Sequence, residues 1–272
     1  MTEADPGWVR TARNGAVLTV TLDRPDQLNA QTPATWAALR SAGEGLDDDV
    51  RVVVVRGAGR AFSAGLDRRM FDLAGQADGG LGGGGLGGGG LGGGGLGELA
   101  ALPAEDAQER IRGYQAAFRW LRSPGIVSVA AVQGHAIGAG AQLALACDLR
   151  VVAEDLQLRL PETTLGLVPD LTGTSTLVEL VGYSRAVEIC LTGRAVGAAE
   201  AVGTGLANVA VPMEQLDGAV ADLVAALLAP DAGAARETLA LLRSAVRNEP
   251  AAQDVAERAA QVRRLGALAA GR

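Results

Sequence analysis

Residues 134–148, GHAIGAGAQLALACD, join a glycine-rich turn directly to an apolar helix. The stretch before them, IVSVAAVQG, is a short apolar run of the kind that forms a buried strand, so the whole reads strand, turn, helix. The first N–H groups of such a helix find no partner within it and its dipole is positive at that end. The turn therefore favours an anion or a strongly polarised oxygen. A second segment shares the design. AFSAGLD, 61–67, follows the β-branched run VRVVVVRG, 50–57, and also ends in small residues that let the backbone come close to a ligand. Two such turns face to face would offer two main-chain donors to one oxygen, an oxyanion hole. Glycine turns between strands and helices also serve packing alone, so spacing leaves both roles open.

Outward from these turns, WVRTAR and AVLTVTL flank Asn14-Gly15, which supplies the positive φ angles of a tight hairpin and predicts two antiparallel strands. LDRPDQLNAQT breaks the second strand. TPATWAALRSAGEGLDD then has helical spacing, with Thr32 as N-cap and Pro33 at the first helical position. PAEDAQERIRGYQAAFRWLRSP predicts an amphipathic helix opened by Pro103 and stopped at Ser123-Pro124. With AGAQLALAC as helix and DLRVVAED as strand, the alternation predicts an α/β fold. From about residue 175 the chain reads as mostly helical, and DGAVADLVAALLA, AARETLALLRSAVRN and DVAERAAQVRRLGAL carry more apolar surface than one core needs, which predicts subunit contacts. Residues 79–97 repeat LGGGG and hold 15 of the 39 glycines. The backbone entropy of that run exceeds what four spaced leucines offset, which predicts a mobile loop.

Composition narrows the chemistry. A chain of 272 residues, 48% hydrophobic, suits one large domain or a domain with a small appendage. Its net charge of -7 argues against a nucleic-acid partner, which would require a basic face. All 24 basic residues are arginine, which excludes a P-loop lysine, a Schiff-base lysine and a pyridoxal site. His135 is the only histidine, so poly-histidine metal sites are excluded and no metal is expected. Cys147 and Cys190 are too few for a disulfide framework. MTEADPGWVR lacks the apolar core of a signal peptide, and no later segment gives 18 apolar residues free of charge. The expectation is a soluble, cytoplasmic protein with no membrane partner.

Four segments in order, LDRPDQLNA, AFSAGLD, GHAIGAGAQLALACDLRVVAE and LPETTLGLVPDLTGT, resemble the successive signature blocks of the enoyl-CoA hydratase/isomerase family, the crotonase superfamily. The resemblance implies a crotonase-like spiral of ββα units over residues 1–200, interrupted by a flexible glycine-rich insertion at 76–98, and a helical C-terminal region at 201–272 for packing and oligomerisation. It implies homotrimers or pairs of trimers. It also implies an acyl-CoA thioester as substrate, with coenzyme A part of the substrate and no other cofactor. The thioester oxygen would sit between the N–H groups of Leu66 and Ala139, flanked by Ala64, Gly65 and Gly138. Arg24, Arg68 and Arg69 match regions lining the nucleotide portion, Arg263 and Arg264 lie where they could reach a neighbour's ligand, and Asp67 braces the loop beside them.

Removing a proton next to a thioester carbonyl places negative charge on that oxygen, and each preorganised donor there is worth about 100- to 1,000-fold in rate. The proton itself must be carried by a side chain. The family's first carboxylate corresponds here to Gln142, whose neutral amide cannot serve as acid or base but can hydrogen-bond a water or the thioester. The second corresponds to Glu162, and the third, Asp170, matches a position that is acidic in the dienoyl-CoA isomerase branch. Adding water to a double bond uses two carboxylates in these hydratases, whereas moving the bond needs one base, Glu162, with Asp170 as partner. The resemblance thus favours double-bond isomerisation over hydration of a 2-enoyl-CoA, with a non-catalytic acyl-CoA-binding or assembly role as a further alternative. By local chemistry alone, Glu162 would be a helix-start acid and Asp170 a turn residue.

Overall fold

A hairpin forms one edge of a six-stranded sheet in the computed structural model, which describes residues 8–71 and 95–271. The hairpin turn falls at Gly15-Ala16, one residue past the expected Asn14-Gly15, because Asn14 pairs with Val17 and of the two expected residues only Gly15 takes a positive φ. Strand β1 (Val9–Asn14) runs antiparallel to β2 (Val17–Leu22). After the turn that follows, Thr32 caps helix α1 (Pro33–Glu44), its hydroxyl accepting the N–H of Thr35 while the Thr35 hydroxyl accepts the N–H of Thr32. Strand β3 (Val52–Gly57) lies parallel to β2. Its β-branched run is buried on both faces. Val53 and Val55 enter the main core under the helices, and Val52 and Val54 enter a smaller core on the opposite face.

The chain continues through α2 (Leu96–Ala101), α3 (Ala104–Arg119), β4 (Val127–Val132), β5 (His135–Ile137), α4 (Ala139–Ala146), β6 (Leu149–Ala153) and β7 (Gln157–Arg159). Helices α5 (Gly173–Val181), α6 (Tyr183–Thr192) and α7 (Ala198–Gly203) follow, then β8 (Val209–Val211) and α8 (Leu216–Leu228), α9 (Ala232–Ala245) and α10 (Pro250–Ala269). The large sheet has the order β1-β2-β3-β4-β6-β8, parallel apart from its first pair. Beside it runs a smaller layer of short pairings. Gln31 bridges Leu66, Ser63 bridges Ala136, β5 pairs with β7, and Leu158 bridges Val196. Strands β2, β3, β4 and β6 are each followed by a short segment of the second layer before the chain turns back, which is the repeating ββα turn of a spiral. The architecture is the α/β fold with a parallel-dominated sheet that the sequence implied.

Three expectations shift. The segment after residue 200 is not purely helical, because β8 pairs with β6 and α8 covers the smaller core through Leu216 and Val220. Helices α9 and α10 pack chiefly on each other. The glycine turn 134–138 contains a strand, β5, whose three residues are too few to show alternation. The insertion read at 76–98 lies outside the described residues up to 94, while its last residues belong to α2, which begins at Leu96. None of the described helices is singly long and apolar enough to cross a membrane.

Candidate active site

The two small-residue turns meet. The Ser63 N–H donates to the His135 carbonyl at 2.8 Å and the Ile137 N–H donates to the Ser63 carbonyl at 3.0 Å, which locks 61–67 against β5. Gly65 has φ +85°, and a Cβ there would collide with the Ile137 carbonyl oxygen and lie 3.5 Å from the Ala139 nitrogen. The N–H of Ala139 is the first of α4. That of Leu66 points away from the Gln31 bridge, because in a parallel ladder the flanking residues make the bonds: Gln31 donates to the Gly65 carbonyl at 2.7 Å and Asp67 donates to the Gln31 carbonyl at 2.8 Å. Neither amide donates to any group among the described residues. Ala64 ties the turn down from its other side, donating to the Leu28 carbonyl at 2.8 Å.

Glu162 opens a 3-10 turn after Pro161 and is buried. Its carboxylate lies against the second turn, since a methyl placed on Gly138 would be 3.6 Å from Oε1. Oε1 accepts the amide of Gln142 at 2.8 Å, whereas Oε2 is buried with no partner among the described residues. Burial pushes the Glu162 carboxyl above its ordinary value. The Gln142 hydrogen bond opposes that rise, and the charge of Asp170 adds to it. Asp170 is half-buried in the turn before α5, and burial likewise raises its carboxyl. Gln142 itself is fully engaged, its Oε1 accepting the N–H groups of Leu171 at 2.7 Å and Gly173 at 3.3 Å. Its carbonyl therefore faces the 171–173 turn, and it touches Glu162 instead of lying open to a ligand.

The arginines divide differently. Asp67 is buried and accepts Arg24 at 2.6 Å and Arg69 through both backbone and side chain at 2.8–3.1 Å. The Arg69 hydrogen bonds, with Arg24 behind them, hold the Asp67 carboxyl far below the usual carboxylate range. Arg24 also lies over the Trp8 ring at 4.4 Å. Arg68 is exposed and has no partner among the described residues. Arg263 pairs with Glu237 and Arg264 with Asp231, both within the α9–α10 pair.

A sequence model of the enoyl-CoA hydratase/isomerase family matches residues 12–78 and 91–269. The chain belongs to the enoyl-CoA hydratase/isomerase family. It is similar to the probable enoyl-CoA hydratase of Mycobacterium tuberculosis, 30% identical over 206 residues that cover 75% of this chain and 68% of the relative. The probable enoyl-CoA hydratase of Bacillus subtilis is 32% identical over 197 residues, 72% of this chain and 64% of that one. Among solved structures, an enoyl-CoA hydratase candidate of Thermobifida fusca in complex with acetoacetyl-CoA is 45% identical. It covers 96% of this chain and 95% of its own at a TM-score of 0.85. Its complex with CoA gives 45% and 0.84, covering 97% and 95%.

In this member of the enoyl-CoA hydratase/isomerase family, sequence reasoning passed over the polar scaffold that shapes the first turn. Gln31, fully buried, donates to the Ser63 hydroxyl at 3.0 Å and accepts the Trp36 indole N–H at 2.8 Å. The Ser63 hydroxyl donates to the Asn29 carbonyl and accepts the Gly65 N–H at 3.2 Å. Asn29 donates to the carbonyls of Ala58 and Ala61 at 2.9 and 2.8 Å. The available signal was the run of amide side chains Gln27, Asn29 and Gln31 in a segment read as a strand breaker and as the first block of the family resemblance, with no role given to its amides.

Proposed function

We propose that this enzyme acts on an unsaturated acyl-CoA thioester and shifts its double bond. The thioester oxygen is held by the N–H groups of Leu66 and Ala139, and the negative charge that develops there is met by two fixed donors. Glu162 takes a proton from one carbon and returns it to another, with Asp170, whose charge acts on Glu162, as its partner. The observation that carries this reading is the pairing at Glu162. It is a buried carboxylate with a raised pKa, beside the second turn, and its neighbour on α4 is an amide rather than a second acid. One titratable group at that point suits proton relocation better than water addition, which takes a base for water and an acid for carbon.

Hydration of a 2-enoyl-CoA is the second reading, favoured by the names of the relatives. CoA and acetoacetyl-CoA in the Thermobifida fusca complexes support an acyl-CoA ligand under either reading. Arg68 and Arg69, exposed at the end of the first turn, suit the phosphates of that ligand, while Arg24 serves through Asp67. The α10 face bearing Val255, Val262 and Leu265, exposed in the single chain, suits assembly as a homotrimer. Short 3-enoyl-, 2-enoyl- and dienoyl-CoA thioesters offered separately, with thioester absorbance and product mass followed, discriminate the chemistry. Isomerisation leaves mass unchanged and hydration adds one water. Rapid hydration of 2-enoyl-CoA without isomerisation of 3-enoyl-CoA overturns the first reading.

A further inference from the structure

The hydrogen bonds around Gln142 permit only one orientation of its amide. Leu171 and Gly173 present N–H groups, which can only donate, so the oxygen of Gln142 must face them and its NH2 must face Glu162. Gly173 seals this arrangement, since a Cβ there would press on the Gln142 side chain at 2.8 Å from Cγ. An NH2 group can only donate, so Glu162 Oε1 can only accept. The carbonyl-type oxygen of a carboxyl is the better acceptor, so this bond directs a proton carried by Glu162 to Oε2, the oxygen that is buried and without a partner among the described residues.

We propose that Gln142 is a positioning residue that divides the two oxygens of Glu162, fixing Oε1 as a permanent acceptor and leaving Oε2 as the single atom that takes and returns the substrate proton. The inference rests on the reading of Glu162 as the base. Its chemistry balances without a co-reactant. The substrate C–H bond breaks as an O–H bond forms at Oε2, the electron pair moves into the enolate, and the same O–H bond breaks as the new C–H bond forms. Because one atom both collects and delivers, the carboxyl need not rotate between the two half-reactions. The anchor reaches beyond the site, because the Leu171 and Gly173 amides that hold Gln142 flank Thr172, whose φ of +75° is a left-handed backbone angle for a side-chain-bearing residue.

Two substitutions test it. Gln142→Met keeps the volume and removes the donor, so Oε1 loses its partner and the carboxyl is free to rotate. The expected result is a fall in kcat of about 10- to 100-fold with KM for a 3-enoyl-CoA and the affinity for acetoacetyl-CoA changed less than about threefold. Gln142→Glu keeps an oxygen for the 171–173 amides and guards against a folding failure of the first variant. It sets a carboxylate against Oε1, so the two acids share a proton and the acid limb of the kcat/KM profile moves up by about one pH unit or more. Asp170 and the Cys190 thiol also face Glu162, from the turn before α5 and from α6, so the same profile is taken in an Asp170→Asn background, where the upward move persists. If both Gln142 variants keep the wild-type kcat and pH profile while Glu162→Gln is inactive, the division of the oxygens is wrong and the base stands. If Glu162→Gln is active, the base reading itself fails.

Discussion

At the scale of single residues, burial raises the carboxyl of Glu162 while its arginine partners depress that of Asp67. Glu162 is raised by burial, so kcat/KM is expected to fall with decreasing pH about a midpoint above the ordinary glutamate value of 4.5. In stability the same shift acts with the opposite slope. Its contribution is fully present below the unfolded pKa and is lost as pH rises through the folded one. Glu162→Gln preserves shape and can turn its carbonyl to Gln142. Turnover should therefore drop by about 100- to 10,000-fold, while acetoacetyl-CoA binding by calorimetry and the thermal midpoint hold; retained turnover would remove Glu162 from the role. Asp67 is the reverse case, its carboxyl depressed by Arg69 and Arg24, so its stabilisation is present above the unfolded pKa and fades as pH falls toward the folded one. Asp67→Asn leaves Arg24, 12% exposed, without its counter-charge. We expect a loss of about 2 kcal/mol by urea unfolding at neutral pH, less than for a fully enclosed pair because Arg69 is 57% exposed, and a smaller loss at acid pH. The two turns were legible in their small residues after apolar runs, whereas Glu162 and Asp170 stood out only through the family resemblance, since local chemistry reads them as a helix-start acid and a turn residue. Gln142 was legible only as a missing acid, since its partners at 162, 171 and 173 lie 20 to 31 positions away and only the fold assembles them.

At the scale of elements, the site is two strand-to-helix turns held in register by the second, smaller layer of pairings. The sequence displayed the large strands and long helices because their periodicity extends over enough residues to be seen. The second layer was hidden, since β5 and β7 have three residues each and the rest of that layer consists of single bridges at Gln31, Ser63 and Leu158. These short pairings nevertheless set the position of Leu66 and Ala139, and that dependence is open to test at Gly65. Its φ of +85° and the nearness of the Ile137 carbonyl mean that any side chain must push 61–67 off β5. Gly65→Ala should cost about 1–3 kcal/mol of stability. Displacing one of the two proposed oxyanion donors should also lower kcat by about 100- to 1,000-fold. A variant with normal kcat would mean that the Leu66 amide does not hold the reacting oxygen.

At the scale of the whole molecule, the sheet, both cores and α1–α8 form the body, and the α9–α10 pair is attached to it at few points. Arg243 on α9 supplies one of them, donating to the carbonyls of Ser123 at 2.7 Å and Ile126 at 3.0 Å and pairing with Asp148 at 3.0 Å. Along α10 only Ala260 is buried, and a cavity of about 300 Å³ opens between the two helices beside Thr238 and Arg264. Val255, Val262 and Leu265 fall within one side of α10, turned away from the face that carries Ala260 and Arg264, and Val262 is 68% exposed. A projecting apolar stripe of this kind is costly in water unless another surface covers it, and in a closed ring of identical chains each copy supplies the cover for the next. Replacing Val262 and Leu265 together by glutamate should therefore leave helix content unchanged by circular dichroism, because both positions point outward and glutamate is a good helix former. In sedimentation equilibrium the wild type is expected at three times, or six times, the chain mass and the double variant at the mass of one chain. A wild type that sediments as a single chain at micromolar concentration would mean that the stripe is covered by something other than copies of itself.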